Sequence, residues 1–372
     1  MIYFDNAATT FPKPASVTAE VVRCLTSYCG NAGRGAHPLA MACAEMIYTC
    51  REELADFLGL DAPERIIFCS NTTHALNLAL QGILKPSSHI LVSELDHNAT
   101  RRPICAMARA HDVHYDVFPV LGLSVEEVLQ GIRERIRPNT VALVCTHSSN
   151  VCSVSLPVAA IGELCHASGL YFILDAAQSA GHLPIDMKAM HIDALAAPAH
   201  KGLFGIQGAG VLALSARTDI SPLLFGGSGL HSLSPDMPTE LPERLEAGTL
   251  PTPSIVGLLA GIRFVRDYGM EEIAAHERSL FLALRERLES MRGIRIYQSD
   301  HAGAVLLFSR EGQDCAKIAA TLASHGICVR AGLHCAPFAH AALGTPTDGA
   351  VRVSFSPFNT MAEIDTFWRA LQ

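Results

Sequence analysis

The chain has 372 residues, enough to bury a large core and to divide into two or more lobes. Hydrophobic residues make up 49% and charged residues 17%, with mean hydropathy +0.25, which excludes a disordered chain. A formal charge of −8, a pI near 6.1 and no basic stripe exclude non-specific binding of nucleic acid, and no apolar run approaches a membrane span.

The first residues, MIYFDNAATTFPKP, lack the basic and then apolar order of a secretory signal. Twelve cysteines are scattered without a CxxC pair, which argues against both a disulfide framework and a zinc site. They are expected mostly as small buried hydrophobes in a reducing compartment, and the chain as a cytoplasmic protein without a metal.

In chain order, RIIFCS (65–70), HILVSEL (89–95), VALVCTH (141–147), YFILDAA (171–177), DALAAP (193–198) and GAGVLAL (208–214) predict buried strands. HALNLALQGIL (74–84), TRRPICAMARAHD (100–112) and PVAAIGELCHASG (157–169) predict helices between them. This alternation predicts an α/β fold with a mostly parallel sheet covered on both faces, and ligands bound beyond the strands' carboxyl ends. After a helical stretch at 253–291, the segments GAVLLFS (303–309), DCAKIAATLASHG (314–326), ICVRAG (327–332) and AVRVSFSPFNT (350–360) predict a smaller α+β lobe.

Several polar residues converge on one sheet edge in this scheme. Asp175 ends an apolar strand, where a carboxylate needs a cation or a donor, and Gln178 follows three residues later. Lys201 stands in APAHKGLFGIQGAG (197–210) among glycines and apolar residues, a setting that desolvates its amine. Thr72 and Thr73 lie at a helix start where free N–H groups can hold a phosphate, although taken alone the pattern is better explained by plain N-capping. His97 follows another strand and offers a flat ring. Together, a lysine amine, an acid, a phosphate site and a ring are what pyridoxal 5'-phosphate requires.

The motifs YFDNAATTFPKP (3–14), NAGRGAHPLA (31–40), SNTTHALN (70–77), DHNATRRP (96–103), HSSNVCS (147–153), LDAAQSAGH (174–182), HKGLFGIQGAG (200–210), EAGTLPTP (246–253), VRAGLHCAP (329–337) and VRVSFSPFNT (351–360) run nearly end to end. In this order they resemble the cysteine desulfurase/selenocysteine lyase branch of the class V aminotransferases, with fold type I. The resemblance implies a large cofactor-binding domain over 14–255 with a seven-stranded sheet, and a small domain from 1–13 and 256–372. It implies that Lys201 carries the cofactor as a Schiff base and shuttles the substrate Cα proton. It further implies Asp175 against the pyridine nitrogen, Gln178 on the phenolic oxygen and His97 stacked on the ring. Thr72, Thr73 and His200 would hold the phosphate, with Thr249 reaching the phosphate of a second subunit in a homodimer. Asn150 and Arg352 would bind the substrate carboxylate, and Arg330 would also face the substrate.

Cys335 discriminates among reactions. In the resembling enzymes it takes sulfur from L-cysteine as a persulfide and releases L-alanine, and Arg330 and His334 are close enough in sequence to favour a thiolate. A selenocysteine lyase acting on L-selenocysteine shares every motif. An aminotransferase or epimerase on this fold generally lacks the cysteine, and a non-catalytic scaffold has no need of Lys201, Asp175, His97 and Arg352 together. The short stretch around Cys335 implies a sulfur-acceptor protein. One position departs from the family pattern. Where a hydroxyl residue normally precedes the histidine–lysine pair by two, this chain has Pro198, which predicts weaker phosphate anchoring.

Overall fold

The computed structural model describes residues 1–33, 35–297 and 303–372; Arg34 of the NAGRGAH stretch lies outside the described residues. Thirteen strands are described: β1 (Ile2–Tyr3), β2 (Ile66–Cys69), β3 (His89–Ser93), β4 (His114–Phe118), β5 (Thr140–Thr146), β6 (Tyr171–Asp175), β7 (Ala194–Pro198), β8 (Gly210–Leu214), β9 (Ile294–Ile296), β10 (Val305–Arg310), β11 (Ile327–Cys328), β12 (Arg330–Gly332) and β13 (Ala350–Ser354). Eleven α-helices accompany them: α1 (Ala15–Arg23), α2 (Pro38–Phe57), α3 (Thr72–Ile83), α4 (Asn98–His111), α5 (Val125–Arg133), α6 (Val158–Ala167), α7 (Thr252–Tyr268), α8 (Met270–Glu289), α9 (Cys315–Ser324), α10 (Pro337–Leu343) and α11 (Met361–Leu371).

The expected seven-stranded sheet is present, in the order β2-β8-β7-β6-β5-β3-β4. β4, β3, β5, β6 and β7 run parallel, and β8 is antiparallel to both β7 and β2. β2 therefore points the same way as β7, so six strands deliver their carboxyl ends to one edge. The central strands are apolar and wholly buried because helices cover both faces. All six strands expected here form. β4 was not among them: HYDVF is an edge strand, partly exposed, and lacks the continuous apolar run of its neighbours.

Two helices, α3 and α4, start two residues earlier than the apolar periodicity indicates. α3 begins at Thr72 because the Asn71 side chain caps it, accepting from the His74 N–H at 3.0 Å. α4 begins at Asn98, capped by the His97 ring, whose Nδ1 accepts from the Ala99 N–H at 3.0 Å. These two caps put Thr72, Thr73 and His97 directly at the sheet edge.

The second sheet is antiparallel, β12-β13-β10-β9, and packs on α8, α9 and α11 around a phenylalanine-rich core. Phe4, Phe355 and Phe367 meet edge to face, with Phe4 5.7 Å from Phe355 and 5.9 Å from Phe367. The predicted single strand ICVRAG divides. Ile327–Cys328 pairs with β1, whereas Arg330–Gly332 joins β13 with Arg330 opposite Arg352. The helical stretch at 253–291 is two helices, α7 and α8, separated at Gly269, whose φ of 96° suits glycine alone. Among the described residues no helix is long and apolar enough to cross a membrane.

Candidate active site

At the carboxyl edge of the large sheet lies a cavity of about 230 Å³. Its wall includes Thr72 and Thr73 from α3, His97 from the α4 cap, Asn150 after β5, Asp175 and Gln178 after β6, and Pro198, His200 and Lys201 after β7. Nine of the residues singled out from the sequence are thus brought to one place by successive strand ends and helix caps.

Lys201 is set there by tight backbone packing. Gly202 comes so close to the preceding loop that a Cβ would sit 2.4 Å from the Ala180 carbonyl oxygen, so no larger residue fits after the lysine. Burial lowers the Lys201 pKa to about 8; Asp175 opposes this shift, while Arg352 and Arg330 add to it. Among the described residues Lys201 makes no ion pair, so its amine is available for chemistry.

Asp175 is buried, and its Oδ1 accepts from the Ala177 N–H at 2.9 Å. Burial raises its pKa, with that hydrogen bond and Lys201 pulling the other way. A buried carboxylate held up in this manner gains from a cationic N–H placed opposite it. Behind it, Asp96 accepts from the Ser93 and Thr146 N–H groups and the Ser93 hydroxyl, and burial pushes its pKa up to about 7.

His97 and His200 are both neutral, their pKa lowered to about 4, chiefly by burial and then by Lys201. Since His97 Nδ1 accepts, its hydrogen sits on Nε2. The His200 Nδ1 is buried without a partner, while its carbonyl accepts from Thr10 N–H and from Lys13 Nζ at 3.0 Å. Thr72 and Thr73 occupy the first turn of α3, where backbone N–H groups have no intrahelical acceptor. An orphaned ring nitrogen and a helix N-terminus on one wall make a fitting cradle for a phosphate. With a buried lysine and carboxylate beside it, the cavity fits pyridoxal phosphate. Gln178 also belongs to this wall, its Nε2 donating to the Ala7 carbonyl at 3.0 Å.

Arg352, Arg330, Thr249 and Cys335 lie outside this wall. Arg352 is buried, donating to Asp5 Oδ1 at 2.7 Å and to the Asn150 carbonyl at 3.1 Å, with Nε unpartnered. Asn150 spends its Nδ2 on the His334 carbonyl at 2.8 Å. Thr249 lines a different cavity, with Tyr48, Arg51 and Glu246. The role of Asp5 was missed, although it stands in the quoted YFDN motif; nothing local announces a partner 347 residues away.

Cys335 is exposed, and the Arg330 Nη2 donates to its Sγ at 3.7 Å. His334 supplies no charge beside it, contrary to the sequence expectation: its ring is buried and its pKa is lowered to about 3, with burial the main cause. His334 and Cys335 both take left-handed backbone angles, φ 51° and 56°. Each such non-glycine residue costs about 1–2 kcal/mol. The turn survives because Asn150 holds the His334 carbonyl and the Asn98 N–H donates to the Cys335 carbonyl at 2.7 Å.

The sequence model of the family described as Aminotransferase class-V matches residues 2–367. A curated relative from Mycolicibacterium paratuberculosis, named "Probable cysteine desulfurase", is 33% identical; the alignment covers all of this chain but 55% of that protein's length. Another of the same name, from Methanothermobacter thermautotrophicus, is 31% identical over all of this chain and 94% of its own. Among solved structures, the apo cysteine desulfurase of Thermococcus onnurineus NA1 superposes with TM-score 0.90 at 30% identity, covering 100% of this chain and 93% of that one.

Proposed function

Because this chain belongs to the class-V aminotransferase family, we propose that it works as a pyridoxal-phosphate-dependent cysteine desulfurase with Cys335 as its sulfur acceptor. The cofactor, when bound, supplies an aldehyde for amine chemistry and an electron-accepting ring. Lys201 would hold it and move the substrate Cα proton at Nζ, with Asp175 serving the ring nitrogen, Gln178 the phenolic oxygen and His97 the ring. Thr72, Thr73 and His200 would hold the phosphate. Arg352 and Asn150 orient the substrate carboxylate, which enters where Asp5 now pairs with the guanidinium. Arg330 steadies the attacking sulfur.

Cys335 Sγ then takes the sulfur of L-cysteine. The substrate carbon–sulfur bond breaks as the sulfur–sulfur bond forms, leaving Cys335 as a persulfide and releasing L-alanine. The observation that carries this reading is the exposed Cys335 with a guanidinium 3.7 Å from its sulfur, on a loop tied by Asn150 to the wall of the lysine cavity. An exposed persulfide can be passed to a sulfur-acceptor protein.

Two further assignments belong to the same proposal. Thr249, outside the Lys201 cavity, serves the phosphate of a second copy in a homodimer; exposed Leu39, Met41 and Tyr48 on α2 support this. Twelve free cysteines suit a reducing, cytoplasmic setting. The test is incubation of the cofactor-loaded protein with L-cysteine and, separately, with L-selenocysteine. L-Alanine with persulfide mapped to the Cys335 peptide supports the desulfurase. Turnover of L-selenocysteine alone would favour the lyase, and product from neither substrate would overturn both readings.

A further inference from the structure

One network under the Cys335 turn has no part in the chemistry above. His334 and His340, both buried, lie edge to edge with their ring planes 16° apart and centroids separated by 5.2 Å. The Arg330 carbonyl can only accept, so His334 Nε2, 3.2 Å from it, carries a hydrogen. In a neutral ring this leaves Nδ1 as the acceptor, and His340 Nε2, 3.0 Å away, must be the donor. His340 Nδ1 then accepts from the Thr345 hydroxyl at 2.9 Å. Both rings are neutral, since burial lowers their pKa to about 3 and about 4. The tautomers of both rings are therefore fixed, and His340 Nδ1 is the nearest of three acceptors open to the Thr345 hydroxyl, the others being the His340 and Pro346 carbonyls at 3.3 Å.

This chain of bonds runs from Thr345, just past α10, to the Arg330 carbonyl on β12, and so spans both ends of the Cys335 turn. α10 is itself pinned at Phe338, whose ring lies 4.0 Å under the buried Arg101 guanidinium of α4. We propose that His340 is a positioning residue for sulfur transfer: by its hydrogen bond to His334 it holds the turn so that Cys335 Sγ stays beside the Arg330 guanidinium. The proposal rests on the reading of Cys335 as the nucleophile. A small displacement of a reacting group is sufficient for a large loss of rate, so His340 acts on the chemical step without touching substrate.

The test compares cofactor-loaded wild type with His340→Phe, which keeps a ring but no donor, and His340→Gln, whose amide can still donate to His334. Three quantities are read: kcat and KM for alanine formation, the cofactor's visible absorbance, and iodoacetamide alkylation of Cys335 by peptide mass spectrometry, with exposed Cys29 as internal reference. His340→Phe should lower kcat about tenfold and shift the Cys335-to-Cys29 alkylation ratio, with KM and absorbance unchanged. His340→Gln should recover part of both. Wild-type kcat and alkylation ratio in His340→Phe would overturn the proposal, whatever its thermal stability. If His340→Phe does not fold, Thr345→Val decides, with a loss of about two- to threefold supporting the proposal and no change overturning it. Alanine formation by Cys335→Ser would instead sink the underlying assignment of the nucleophile, a result separable from either outcome at His340.

Discussion

The two halves of the site are built in different ways. The lysine cavity is made of strand ends: β5, β6 and β7 place Asn150, Asp175, Gln178, His200 and Lys201 by sheet geometry, and caps on α3 and α4 add Thr72, Thr73 and His97. The Cys335 turn belongs to the smaller sheet and is exposed, with two left-handed residues held by side-chain hydrogen bonds. A sheet edge tolerates loss of one side chain, because the backbone ladder fixes the rest. A turn held by side chains does not. The contrast suits the tasks, since a bound cofactor needs a fixed cradle while a sulfur-carrying thiol must meet both the cavity and the outside.

Substitutions should separate the halves. The largest effect is expected for Lys201→Ala, a loss of about a thousandfold in alanine formation from removing the proton-carrying amine, measured by steady-state assay. Asp175→Asn should cost about a hundredfold in kcat, since it removes a charge from the cavity wall, and should shift the absorbance of the bound cofactor. Asn150→Ala frees the His334 carbonyl and should lower kcat about tenfold while cofactor affinity, titrated by absorbance, changes little. Equal losses of affinity and rate at Asn150 would erase the distinction drawn here.

A pH experiment that compares wild type with a Lys201 variant probes the cavity. Lys201 has its pKa lowered from 10.5 to about 8, so the folded cofactor-free protein pays for the charged amine below pH 8. Between pH 8 and 10.5 the unfolded chain binds more protons at this residue, and stability rises with pH across that window. Buried cysteines, whose thiols burial pushes up, pull stability the other way above about pH 9 in both proteins, so the readout is the difference in urea-unfolding free energy between cofactor-free wild type and Lys201→Met, which should rise with pH across this window. The smallest effect is expected at Pro198→Ser, where a new hydroxyl at the cavity wall should tighten cofactor binding about two- to fivefold. An unchanged affinity would mean that His200 and the start of α3 already satisfy the phosphate.

The sequence exposes these halves unequally. The large sheet is legible because its central strands are continuous apolar runs, and the residues that follow them lie on one edge by topology alone. That logic puts Lys201, Asp175, Gln178, Thr72, Thr73 and His97 together from the sequence alone. It failed at the polar edge strand β4, and at ICVRAG, where one apolar-looking run feeds two sheets. Around Cys335 the deciding contacts are long-range or tautomeric. Asp5 reaches Arg352, Asn150 reaches His334 across 184 residues, and the direction of the His334–His340 bond depends on a carbonyl that no pattern of residues announces.

The most direct measurement is a single turnover of L-cysteine by wild type and Cys335→Ser at equal cofactor occupancy. The account predicts equal amounts of alanine and Cys335-bound persulfide from wild type. It predicts no alanine from Cys335→Ser, whose cofactor absorbance and affinity remain those of wild type. Alanine from the serine variant, or loss of its cofactor, would contradict the division of labour between the two halves of the site.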